Sequence, residues 1–167
     1  MFVAVSDFLK TWKSHSDRMQ KLFDSLTDQS LAQEVVAGHR TLGRLGWHII
    51  TTIPEMSGRV GLKLEGPAEN TPLPKTAGEI AEGYRAVAGS LARQIENSWS
   101  DEALMIEDDM YGEQWKRGLT LRILLNHEIH HAGQMTILMR QAGLKVPGLY
   151  GPSQEEWAQY GMEAPEI

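Results

Sequence analysis

Four long stretches of this chain place apolar residues at helical intervals, and that repetition restricts the fold to packed helices. The first predicted helix runs from Ser6 to Leu26, with Phe8, Trp12, Met19, Leu22, Phe23 and Leu26 on its apolar face and Ser6 placed to cap it. The second starts near Asp28 and carries Leu31, Val35, Leu42, Leu45 and Ile49. Pro54 should end it, because a proline disfavours helix at the preceding Ile53. The third opens on Thr76-Ala77-Gly78-Glu79, a capping-box pattern, and continues through Ile80, Tyr84, Val87, Leu91 and Ile95 to Trp99. The fourth spans Lys116 to Ala142, and Gly143 follows as its terminating residue.

The connections are punctuated by glycine and proline. Glu55 to Lys75 contains Gly58, Gly61, Gly66, Pro67, Pro72 and Pro74, a length that suits a crossover or a functional lid. Within Ser100–Arg117, Glu107-Asp108-Asp109 and Tyr111-Gly112 predict a turn or short hairpin. Ser153-Gln154-Glu155-Glu156 is a second capping-box pattern and predicts a short C-terminal helix around Trp157. The expectation is an all-α chain: one four-helix bundle domain over residues 1–167 with a long crossover loop.

Composition removes several classes of function. The 167 residues include no cysteine, which excludes disulfide scaffolds, thiolate metal sites and a cysteine nucleophile. Any metal must be held by His, Asp or Glu. The net charge is −6 and no basic stripe is present, so nucleic acid is not expected as a partner. No apolar run approaches 18 residues, and the apolar Met1–Val5 soon meets Asp7 and Lys10, unlike a signal peptide. These features predict a cytoplasmic location and no membrane partner.

Three of the six histidines fall within Asn126-His127-Glu128-Ile129-His130-His131-Ala132-Gly133-Gln134. Positions four apart share a helix face, so His127 and His131 project together from the stripe Leu124, His127, His131, Met135, Leu138. Buried imidazoles need partners, and a divalent ion satisfies both rings at once. His48, beside Ile49 on the second helix, is the best third ligand from a facing helix; His15 and His39 fit less well. His130 and Gln134 are candidates for the outer shell of the site, as is Asn126.

His127-Glu128-Ile129-His130-His131 also spells H-E-x-x-H, which in zinc proteases makes the Glu a general base. Glu128 is therefore a candidate catalytic residue. The alternative is a helix-face carboxylate paired with Arg122 or His131. A metalloprotease is the lesser reading, because no third histidine follows at the usual spacing. Trp47 is a candidate pocket residue, Trp12 and Trp99 are expected in the core, and Tyr111, Trp115 and Tyr150 could wall an entrance.

His127-x-x-x-His131-x-Gly133-Gln134 with Arg140-Gln141-Ala142-Gly143 resembles the last bundle helix of the DinB/YfiT-like family. Leu42-Gly43-Arg44-Leu45-Gly46-Trp47-His48-Ile49 and Val146-Pro147-Gly148-Leu149-Tyr150-Gly151-Pro152 are similar to two further stretches of that family. The resemblance implies an up-up-down-down bundle and a zinc or nickel ion on His48, His127 and His131. It also implies a homodimer and a small-molecule substrate. Relatives include low-molecular-weight thiol S-transferases, maleylpyruvate isomerases and metal-dependent hydrolases; the alternative is a structural, non-enzymatic metal-binding dimer. Two positions depart from the family pattern: Ala132 stands where many relatives have Arg, and Glu128 where many have a small polar residue.

Overall fold

A computed structural model describes residues 1–166. Four helices form the bundle: α1 (Val5–Asp24), α2 (Leu42–Arg59), α3 (Ala77–Ser98) and α4 (Arg117–Gln141). A two-stranded hairpin, β1 (Glu107–Met110) and β2 (Glu113–Lys116), precedes α4. Its two-residue turn, Tyr111-Gly112, has φ of 62° and 88°, the left-handed pair that matches the twist of a tight hairpin. Apolar side chains from all four helices meet in one core, including Phe8, Trp12, Ile50, Tyr84, Leu91 and Met135.

Specific contacts fix the helix directions. Trp12 Nε1–H donates to Ala88 O at 3.0 Å and Gln20 Nε2–H to Ala81 O, so α1 and α3 are antiparallel. Phe2 pairs with Gly118 and His15 with Glu128, so α1 and α4 run the same way. Gly46 meets Met135, and further along α2 His48 meets His127, so α2 opposes α4. The bundle is therefore up-down-down-up rather than the up-up-down-down order the resemblance implied.

Parallel α2 and α3 explain the long connection, because the chain must travel back along the bundle before α3 can start. Residues 60–76 form that strap. Lys63 N–H donates to Gln94 Oε1 at 3.1 Å, Glu65 N–H to Ser90 Oγ at 2.9 Å, and Trp47 Nε1–H to Thr71 O at 2.8 Å. Trp47 is thus buried and pins the strap; it does not line a pocket. Trp12 is buried in the core, and Trp99 is partly buried against it.

Several predicted boundaries shift for identifiable reasons. The second helix begins at Leu42, where Thr41 Oγ1 accepts the Arg44 N–H; residues Gln29–Ala32 make only a 3₁₀ turn. Asp28 instead accepts the Ala77 N–H at 2.7 Å, satisfying the start of α3 from outside. Helix α2 also runs through Pro54 to Arg59. An interior proline costs about 3 kcal/mol, and burial of Met56 and Val60 contributes roughly 3–6 kcal/mol in return. Ser6 does not cap α1: Ala4 occupies that position, and Asp101 Oδ1 accepts the Val5 N–H at 2.7 Å. Near the C-terminus, Glu156 accepts N–H groups from Gly148 and Ser153, and the expected helix is reduced to a 3₁₀ turn at Trp157–Tyr160.

The capping box at Thr76 forms in both directions, with Thr76 Oγ1 accepting Glu79 N–H and Glu79 Oε2 accepting Thr76 N–H, each at 3.2 Å. Thr76→Ala should lower stability by about 1 kcal/mol, read as a lower urea midpoint with an unchanged m-value. Among the described residues, no helix is long and apolar enough to cross a membrane.

Candidate metal centre

The structure brings His48, His127 and His131 together. His127 and His131 stand one turn apart on α4, and His48 faces them from α2. Gly46 permits this approach: a Cβ there would lie 3.0 Å from the Phe23 ring and 3.4 Å from Met135 Cε. Leu124, Met135 and Leu138 of the predicted stripe are buried, whereas the three histidines are half-buried at its edge. The site therefore opens to solvent and is not sealed inside the bundle.

All three rings converge through Nε2. His48 and His127 are 3.2 Å apart at these atoms, and His127 and His131 are 3.1 Å apart. Imidazoles on a tetrahedral zinc, bound at 2.0–2.1 Å, hold their nitrogens about 3.3 Å apart, and on an octahedral face about 2.9 Å. The observed spacing falls between these values. No fourth His, Asp or Glu joins the group among the described residues.

Protonation also suits a cation. Burial pushes His127 down to about 4, helped by the neighbouring His131 and His48 rings. Burial likewise lowers His48 and His131, and the Arg40 charge acts in the same direction on all three. Gln134 Oε1 lies 2.7 Å from His131 Nδ1, so that nitrogen carries the proton and Nε2 presents a lone pair. His127 Nδ1 is buried without a partner, and its Nε2 cannot donate well to both neighbouring Nε2 atoms at once. A cation at the centre satisfies all three lone pairs together. The donor set fits a divalent ion.

The other candidates fall into place around this group. Gln134 also reaches back to His130, its Nε2–H donating to His130 Nε2 at 3.1 Å, and the His130 ring packs edge-on against His131 at 4.9 Å between centroids, outside the group of three converging nitrogens. His39 is exposed in the loop before α2, and Asn126 is exposed on α4. Tyr111 shares a recess with His48, whereas Tyr150 borders clefts lined by Ile129 of α4 that contain none of the three histidines.

Glu128 requires a correction. It is fully buried in the bundle core, paired with neither Arg122 nor His131. Its Oε2 accepts from His15 Nε2 at 2.9 Å and from Tyr84 Oη at 3.0 Å, and His15 Nδ1 lies 2.5 Å from Tyr150 Oη. The carboxylate is turned into the core toward His15 and Tyr84 and makes no hydrogen bond to His48, His127 or His131, whereas an H-E-x-x-H general base faces the water held at the metal.

With this architecture in view, comparison with known proteins is decisive for the family. The DinB family pattern matches residues 1–166. The chain belongs to the DinB family. It is 42% identical to the uncharacterized protein YrdA of Bacillus subtilis (strain 168), over the full length of both chains. A crystal structure of a DinB-like protein from Bacillus cereus ATCC 10987 matches with a TM-score of 0.87 at 44% identity, covering 90% of this chain and 100% of that one. A DinB-like protein of Bacillus subtilis, YjoA, shares the fold at a TM-score of 0.66 and 18% identity, over 86% of this chain and 97% of that one. Membership of the DinB family and the three-histidine group are both compatible with metal binding.

Proposed function

We propose that this DinB-family chain is a metal-dependent enzyme acting on a small molecule, with zinc or nickel held by His48, His127 and His131. The carrying observation is the convergence of three Nε2 atoms with no fourth side-chain ligand among the described residues. Structural zinc sites are closed by four protein ligands, whereas catalytic ones use three and keep a position open. Two recesses that adjoin the histidines, one at His131 and one at His48, support access for a reactant.

A divalent ion in this site makes an adjacent thiol or water a better nucleophile at neutral pH. The chain's own contribution is orientation. Gln134 fixes the His131 tautomer, and the helical spacing of His127 and His131 sets the angle between their rings. The proposed reactions are S-transfer from a low-molecular-weight thiol to an electrophile, or hydrolysis of a small ester or amide.

Two assays on metal-loaded protein test this reading. One follows conjugation of cysteine or glutathione to 1-chloro-2,4-dinitrobenzene; the other follows hydrolysis of p-nitrophenyl acetate. The expected result is turnover in at least one assay that depends on added zinc or nickel and is lost in His48→Ala. Stoichiometric metal without turnover in a broad panel of thiol acceptors and esters would overturn the enzymatic reading and leave a structural metal site.

A further inference from the structure

The two recesses beside the histidines differ in charge. The recess at His48 includes Glu55, Glu69 and Tyr111. Its one arginine, Arg59, is held by Glu55 at 2.5 Å, and Glu55 also accepts the Tyr111 hydroxyl at 2.7 Å. An anion entering there meets carboxylates and no free cation.

The groove at His131 is the opposite. It encloses about 480 Å³, with Val35, Leu45, Ile137 and Leu138 forming apolar wall and Arg40 at its polar side. That volume lies in the range of small-molecule sites. Among the described residues, Arg40 takes part in none of the ion pairs formed by the other arginines. Arg18, Arg44 and Arg122 likewise stand outside those ion pairs, but of these four only Arg40 lines the groove at His131. Arg40 is also close enough to the three histidines for its charge to act on each of them. A guanidinium presents paired N–H donors that match a carboxylate.

We infer that the substrate is a small anion with an apolar body, its carboxylate held by Arg40 and its body lying along Val35, Leu45, Ile137 and Leu138. This inference rests on the metal-dependent reading of the same site and names the class of molecule that the site takes. Arg40 is then a specificity-determining residue: it selects an acid over the matching alcohol or amine and orients the molecule with its far end toward His131.

Three probes that share one body test the assignment: 4-phenylbutanoate, 4-phenylbutan-1-ol and 4-phenylbutylammonium. Their affinities are measured by calorimetric titration for zinc-loaded and metal-free protein, wild type and Arg40→Gln. In both metal states the wild type should favour the carboxylate over the alcohol by about tenfold, and the ammonium should bind least. Arg40→Gln should erase the preference without changing the thermal midpoint, because Arg40 is exposed in the loop before α2. A preference seen only with zinc present belongs to the metal and overturns the assignment, as does a preference that survives Arg40→Gln or binding of none of the three at millimolar concentration. Zinc content, measured on the same samples, reports separately on the metal site: Arg40→Gln should hold as much as wild type.

Discussion

His127→Ala is expected to abolish stoichiometric binding of zinc or nickel while leaving the metal-free protein as stable as wild type to within about 1 kcal/mol. His127 is the central ring, with Nε2 contacts to both His48 and His131. Its loss leaves two imidazoles and no substitute ligand among the described residues. The ring is only half-buried, and its Nδ1 has no partner to lose, so truncation leaves no new unsatisfied group behind. Ligand linkage supplies a second readout. Free zinc at a hundred times its Kd should stabilise wild type by about 2.7 kcal/mol, an upward shift in Tm of roughly 5–11 °C for a chain of this length. The variant should show no such shift. Gln134→Leu should fall between the two: it keeps all three ligands but frees the His131 tautomer, which weakens metal binding by about 10–100-fold. A His127→Ala protein that retains wild-type metal content would eliminate the three-histidine site.

Most of this site was legible in the sequence because helical spacing is a local property. Four residues along α4 put His127 and His131 on one face whatever surrounds them. His48 was harder, since its place depends on how α2 meets α4, and the apolar stripe beside it supplied the only local cue. Arg40 carried no cue at all: it became notable when the loop before α2 brought it to the groove at His131. Helix directions were similarly out of reach of periodicity. An apolar stripe states which face is buried, but α1 and α4 run parallel because Phe2 docks on Gly118, where a Cβ would lie 2.0 Å from the Phe2 carbonyl oxygen. Distant contacts also complete two helix starts. Asp28 and Asp101 satisfy N–H groups at the starts of α3 and α1 from 49 and 96 residues away, and local cap patterns cannot register such pairings.

Glu128 shows how a short motif can conceal a packing pattern. H-E-x-x-H directs attention to the histidines, yet a second stripe on the same helix reads Leu121, Leu124, Leu125, Glu128, Ala132, Met135, Met139, all buried. On α1 the stripe Phe8, Trp12, His15, Met19, Leu22 has its own polar residue at the centre. A carboxylate and an imidazole at the centres of two buried stripes have strong reason to pair, because either one alone in a core is expensive. Tyr84, in the α3 stripe of Ile80, Tyr84, Val87 and Leu91, brings its hydroxyl to the same carboxylate.

This buried network sets the second large expected effect. Glu128→Ala removes the shared acceptor of His15 and Tyr84, whose side chains are 2% and 0% exposed and cannot turn to water instead. The loss should be about 3–5 kcal/mol, a drop in Tm on the order of 10 °C. Glu128→Gln keeps an oxygen that can accept the Tyr84 hydroxyl and fills the same volume, so its cost should be smaller, about 1–2 kcal/mol. Neither change touches the three Nε2 atoms, and both variants should bind zinc at wild-type stoichiometry at temperatures where they remain folded. A catalytic general base would behave in the opposite way, since Glu128→Gln would then extinguish turnover with little effect on unfolding. Thermal unfolding and activity measured on the same two variants therefore separate a core carboxylate from a catalytic one, and a Glu128→Ala protein with the wild-type Tm would remove the buried network as a source of stability.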